Sequence, residues 1–108
     1  MPQIELAGKT YEVDEDGFLQ ELDKWSEEFA QAYAYTLDIE CTLTEQHWKI
    51  INYLRNYFQQ FGIPPMAGRV FKDNGIDRKK LSELFPTGLA KGACKMAGLS
   101  QPPWWVLG

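Results

Sequence analysis

Cys94 is the residue whose surroundings come closest to supporting covalent chemistry, because Lys91 and Lys95 flank it in Lys91-Gly92-Ala93-Cys94-Lys95. A thiol attacks, or accepts sulfur, as its thiolate, and neighbouring cations lower its pKa. On an α-helix Lys91 lies three residues before the sulfur and shares its face, whereas Lys95 points about a quarter-turn away, so Lys91 is the candidate thiolate stabiliser. The bland alternative is a cysteine filling space among Gly92, Ala93 and Ala97, with lysines that only solvate the helix. Spacing leaves both open.

The other chemistry-bearing residues read as structural. Cys41 follows Asp38 and Glu40, anions that raise a thiol pKa. His47, the chain's one histidine, opens an apolar helix as a packing or capping residue, with no Ser/Asp relay beside it. With two distant cysteines and one histidine, zinc lacks ligands, and no phosphate-binding glycine loop occurs, so neither a metal nor a cofactor is expected. Both thiols are expected to be reduced, and no intramolecular disulfide is expected between them.

Charge is distributed unevenly. The net charge is −4, made of −8 over residues 1–65 and +4 over 66–108. Arg69, Lys72, Arg78, Lys79, Lys80, Lys91 and Lys95 supply the second half's excess, which suits an anionic partner surface. A nucleic acid would use the same charges, but Arg78-Lys79-Lys80-Leu81-Ser82-Glu83 offers few side chains for reading bases.

The elements that position these residues follow from patterning. A chain of 108 residues, 44% hydrophobic and 14% aromatic, holds one core. Alternation from Ile4 to Val13 about Gly8 predicts a hairpin over residues 3–13. Trp25, Phe29, Ala32 and Tyr33 predict an amphipathic helix over 25–37, with Ser26, Glu27 and Glu28 in its first turn. Thr42 or Thr44 caps a core helix carrying Trp48, Ile51, Leu54, Phe58 and Phe61, which Gly62 and Pro64-Pro65 stop. Two short helices, 66–73 and 77–85, join through Asn74-Gly75 like a helix-turn-helix. A last helix spans Leu89 to Ala97 and ends at Gly98. Beyond it, Pro102-Pro103-Trp104-Trp105 forms an arm too apolar to stay in water, expected to pack on the body or in a second copy.

The fold class is therefore mainly α: a small orthogonal helical bundle with an N-terminal β-hairpin, a helix-turn-helix-like pair and a C-terminal arm. It forms one domain over 1–108, with the helical body at 25–97 and the arm at 99–108. No apolar run reaches the ~18 residues of a spanning helix, and no leader pattern opens the chain, which places it in the cytoplasm. A monomer or a homodimer is compatible with this reading.

Three stretches resemble the DsrC/TusE family of sulfur-handling proteins, the sulfite reductase gamma-subunit-like and sulfur relay proteins. These are Asp16-Gly17-Phe18-Leu19 with Trp25-Ser26-Glu27, then Leu43-Thr44-Glu45-Gln46-His47-Trp48, then Leu84 to Leu99. The resemblance implies a sulfur carrier, partner or regulator, without turnover of its own, that docks on a sulfite reductase or a tRNA-thiolation relay. Cys94 matches the family's helix-borne cysteine and becomes the candidate sulfur-accepting thiol. The family's reactive cysteine near the C-terminus has no counterpart, since Trp105 occupies its position. Arg69, Lys72, Arg78, Lys79, Lys80, Lys95, Trp104 and Trp105 are the expected partner-binding residues. A small helix-turn-helix DNA-binding regulator is the alternative.

Overall fold

The computed structural model describes residues 2–100. The first element is a hairpin of β1 (Gln3–Leu6) and β2 (Lys9–Glu12), paired antiparallel with Ile4 opposite Tyr11 and Leu6 opposite Lys9. Its two-residue turn places Ala7 at φ 53° and Gly8 at φ 78°. Turns with both central residues at positive φ match the strand twist, which is why the hairpin closes here. Leu6 and Tyr11 are buried from one side of the ribbon.

After the hairpin the chain turns on Asp14, whose Oδ1 accepts the backbone N–H of Asp16 and of Phe18, each at 2.9 Å. This sends Phe18 and Leu19 into the core. Tyr33 donates its hydroxyl to Gly17 O at 2.6 Å, and a Cβ at residue 17 would meet that hydroxyl at 2.6 Å, so the turn requires glycine.

Four α-helices follow among the described residues: α1 (Glu27–Ala34), α2 (Glu45–Phe61), α3 (Ala67–Asn74) and α4 (Arg78–Leu84). Ser26, Thr44 and Asp77 accept N–H groups of the first turns of α1, α2 and α4. Gly62 and Gly75 end α2 and α3 in the left-handed conformation. The apolar stripes of α1 (Phe29, Ala30, Tyr33, Ala34) and α2 (Ile50, Ile51, Leu54) meet Val70, Leu81, Leu84 and Phe85 in one core.

Two elements differ from expectation. The first helix begins at Glu27 rather than at residue 25, because Trp25 is extended (φ −64°, ψ 144°) and follows a short 3-10 turn, Leu22–Lys24. The helix ends at Ala34, before the turns through Leu37 and the positive φ of Asp38. The last helix is π-helical over Leu89–Cys94 instead of α-helical. Gly92 permits this turn, since a Cβ there would lie 2.6 Å from Thr87 Oγ1, and that hydroxyl donates to Lys91 O at 3.2 Å. The expected arm from residue 101 onward, with Trp104 and Trp105, lies outside the described residues.

Candidate functional site

Cys94 closes the π-helical segment and has no solvent exposure. Ala93, Met96, Ala97 and Leu99 around it in sequence are buried too, so the thiol is part of the core. Burial pushes its pKa up to about 12, because the thiolate would lose its hydration with no compensating charge. At neutral pH this conformation holds an inert thiol.

The expected activation by Lys91 is thus outweighed. A π-helix bonds i to i+5 and turns less per residue than an α-helix, so a residue three positions earlier no longer shares the face of the sulfur. Lys91 is accordingly exposed while Cys94 is sealed. Lys95 turns toward the N-terminal loop, with its Nζ 5.4 Å from the Phe18 ring centroid. Cys41, read from sequence as structural, is exposed, whereas Cys94, the candidate reactive thiol, is buried.

The turn after Cys94 is held by a clamp of two residues, one that the sequence placed on a helix face and one to which it gave no role. Trp25 Nε1 donates to Met96 O at 2.7 Å, and Arg55 Nη1 donates to Ala97 O at 2.8 Å. The Arg55 guanidinium stands 4.0 Å from the centroid of the Trp25 ring, a cation–π geometry. Gly98, at φ 72°, approaches the same indole so closely that a Cβ would lie 2.5 Å from Trp25 Cδ1. The signals were present but weak: Arg55 is the one arginine in the first 65 residues, and it stands on an amphipathic helix directly after Leu54, a core position.

His47 is a structural hinge pin. Its backbone N–H donates to Thr44 Oγ1 at 3.4 Å, and its Nδ1 accepts the Thr44 N–H at 3.0 Å, a capping box in which histidine stands where Glu or Gln is usual. Leu84 O lies 2.8 Å from Nε2 and can only accept, so Nε2 carries the proton and the ring is neutral. Desolvation, ahead of repulsion from Lys80, lowers its pKa, against the opposing effect of the Leu84 bond. The imidazole ties α2 to the end of α4 and also packs edge-on against Phe85, at 5.3 Å between ring centroids.

The cationic residues gather on the α3–α4 unit. Arg69 pairs with Asp73 at 3.7 Å and Lys80 with Glu83 at 4.0 Å, both at the surface. Lys72 and Lys79 are exposed, and the Arg78 guanidinium lies 5.5 Å from the Phe71 ring centroid. Lys91 and Lys95 belong to the segment that carries Cys94, so the structure divides the basic set between two elements.

A hairpin followed by four helices and a cysteine-bearing turn is the fold that this chain shares with solved DsrC structures. A family model described as DsrC like protein matches residues 5–106, and the chain belongs to that family. It is 42% identical over 102 residues to the gamma subunit of the dissimilatory-type sulfite reductase of Nitratidesulfovibrio vulgaris, covering 94% of this chain and 96% of that protein. It is 36% identical over 107 residues to the sulfurtransferase TusE homolog of Haemophilus influenzae, covering 92% and 95%. Among solved structures, dissimilatory sulfite reductase I (DsrI) gives a TM-score of 0.87 at 42% identity, covering 94% of this chain and 97% of that one. The oxidised gamma subunit (DsrC) of Archaeoglobus fulgidus gives 0.82 at 40% identity, with the same coverage.

Proposed function

We propose that this protein is a sulfur-relay-type component of the cytoplasm that works by docking on a larger sulfur-handling protein, and that Cys94 is a latent sulfur-accepting thiol rather than a free carrier. The observation that carries this reading is the complete burial of Cys94 behind the Trp25–Arg55 clamp. A freely diffusing carrier needs an exposed thiolate, and Trp105 stands where the resemblance places the family's reactive cysteine. A partner that pulls on the last turn would release the sulfur to solvent and return its pKa toward the ordinary thiol range.

Once open, the Cys94 thiolate attacks the outer sulfur of a persulfide donor, R–S–SH. A new S–S bond forms at Cys94, the donor's S–S bond breaks, and R–S⁻ leaves with the electron pair. The product is a Cys94 persulfide, and no external oxidant is needed. Arg69, Lys72, Arg78, Lys79 and Lys80 form the docking surface, which suits an acidic groove, and Lys95, Trp104 and Trp105 extend it toward the C-terminus. The partner is a sulfite reductase or a tRNA-thiolation relay protein, as the family resemblance implies; the relatives are named as a sulfite reductase gamma subunit and a sulfurtransferase TusE homolog. Those names concern sulfur chemistry, and the DNA-binding alternative gains nothing from them.

Binding of the purified chain to a catalytic sulfite reductase complex, measured by calorimetry, tests the docking reading. The double variant Lys72→Glu/Lys79→Glu should weaken binding and reduce its salt dependence. Unchanged affinity in that variant, or no binding to either kind of partner, overturns the proposal.

A further inference from the structure

We propose that the outer edge of β2 is a strand-addition site for an extended, basic segment of a partner polypeptide, taken up as an added strand in the groove between β2 and the segment 19–24. The register of the hairpin fixes which backbone groups face that groove. Leu6 pairs with Lys9 across a two-residue turn, and Val13 N–H donates to Pro2 O at 3.0 Å, so the hydrogen-bonded pairs are Leu6/Lys9, Ile4/Tyr11 and Pro2/Val13. Thr10 and Glu12 occupy the alternate positions, and their N–H and C=O groups therefore point away from β1.

The chain pairs only the far end of this edge with its own backbone. Gln20 N–H donates to Glu12 O at 3.0 Å and Asp14 N–H to Phe18 O at 2.9 Å, around an isolated bridge between Val13 and Leu19. Beyond that rung the pairing stops: among the described residues, Glu12 N–H, Thr10 N–H and Thr10 O have no hydrogen-bond partner. The opening is a groove of about 670 Å³, lined by Lys9, Thr10 and Glu12 on one side and by Glu21, Asp23 and Lys24 on the other. Free backbone groups at the strand repeat, in a groove of ligand-binding size, are the means by which an extended peptide is held through its main chain.

Charge selects the occupant. Glu12, Glu21 and Asp23 line the groove with Lys9 and Lys24, and Lys9 is drawn to Glu28 at 3.7 Å, so four acids stand against two lysines. All six side chains are exposed. The groove lies in the half of the chain that carries −8, to which the basic α3–α4 docking face gives no role. A second copy added edge to edge would set one acidic wall against another, which like-charge repulsion opposes. An extended segment with Lys or Arg at alternate positions instead meets Glu12 along the ladder and Glu21 and Asp23 across the groove. The site involves neither Cys94 nor the α3–α4 face, so it stands or falls separately from the sulfur-docking reading.

Heteronuclear NMR of the isotope-labelled full chain, titrated with the capped heptapeptide Thr-Lys-Val-Lys-Thr-Lys-Val, tests it. The Thr10 and Glu12 amide resonances should shift, and at saturation their hydrogen exchange should slow by ~10-fold or more as they gain partners. The double variant Glu21→Lys/Asp23→Lys, at exposed positions, should weaken the peptide by ~10-fold or more. N-methylation of one alternate set of peptide residues should abolish binding, and of the other set should not, because only one edge of an added strand faces β2. The proposal is overturned if the Thr10 and Glu12 amides do not respond, if the same peptide with Glu in place of Lys binds as tightly, or if both N-methylated sets bind. Concentration-dependent shifts of these amides without peptide overturn it as well, by assigning the edge to a second copy.

Discussion

Replacing Arg55 by Leu tests whether the clamp is what keeps Cys94 closed. The substitution keeps an apolar stem but removes the charged hydrogen bond to Ala97 O at 2.8 Å and the stacking on Trp25 at 4.0 Å. A hydrogen bond from a charged group contributes ~1.5–3 kcal/mol, and a partly exposed cation–π pair ~0.5–1 kcal/mol. Arg55 is only half-buried, so solvent screening and the retained Leu contacts bring the combined loss to ~1.5–3 kcal/mol. If Cys94 reacts through local opening of the last turn, and the clamp is broken in the open state, the opening constant rises by the whole of this amount. Alkylation of Cys94 then accelerates by ~10- to 100-fold, at ~1.4 kcal/mol per decade.

The assay is native-state alkylation followed by peptide mass spectrometry, with Cys41 as the internal reference for reagent and pH. Tyr53→Phe is the control, because it removes the 2.6 Å bond to Asp73, which lies away from the clamp. It should lower overall stability without altering the native-state rate at Cys94. Loss of stability in Arg55→Leu with an unchanged Cys94 rate would refute the clamp, since it would mean that the thiol opens by a route that leaves Arg55 in place.

Two further outcomes follow from the same geometry. The folded Cys94 pKa, at about 12, lies above the ordinary thiol value near 8.5, so the stabilisation from keeping the thiol neutral is complete below ~8.5 and is lost as pH rises toward 12. Stability should therefore fall through pH 9–10, and urea denaturation should show a flatter alkaline slope in Cys94→Ala. Gly92→Ala should destabilise by ~1–3 kcal/mol through the approach of its Cβ to Thr87 Oγ1, and Thr87→Ala in the same chain should recover part of that loss in thermal unfolding.

Much of the scaffold was legible because local rules and tertiary structure agree. The Gly8 turn, the Thr44 cap and the Gly62 and Gly75 stops all appear where their backbone preferences place them. Trp25 was not legible as a clamp: its helical spacing from Phe29 and Ala32 is real, but Ser26 caps the helix one residue later and frees the indole to reach Met96 O. The π-turn was hidden for a similar reason. Lys91 and Cys94 share a face only at α-helical pitch, and the cue for the wider turn was Thr87 together with Gly92, a packing relation that periodicity does not encode. Burial of Cys94 was foreshadowed by Gly92, Ala93 and Ala97, whose small side chains admit close packing.

Sulfur loading is the most direct test of the account as a whole. The native chain and Arg55→Leu are incubated with a small persulfide donor at neutral pH, and the gain of one sulfur atom is mapped to a cysteine by mass spectrometry. Gain at Cys94, slow in the native chain and faster in Arg55→Leu, is the predicted result. Sulfur on Cys41 alone, or no sulfur at Cys94 even when the clamp is removed, would contradict a latent sulfur-accepting thiol.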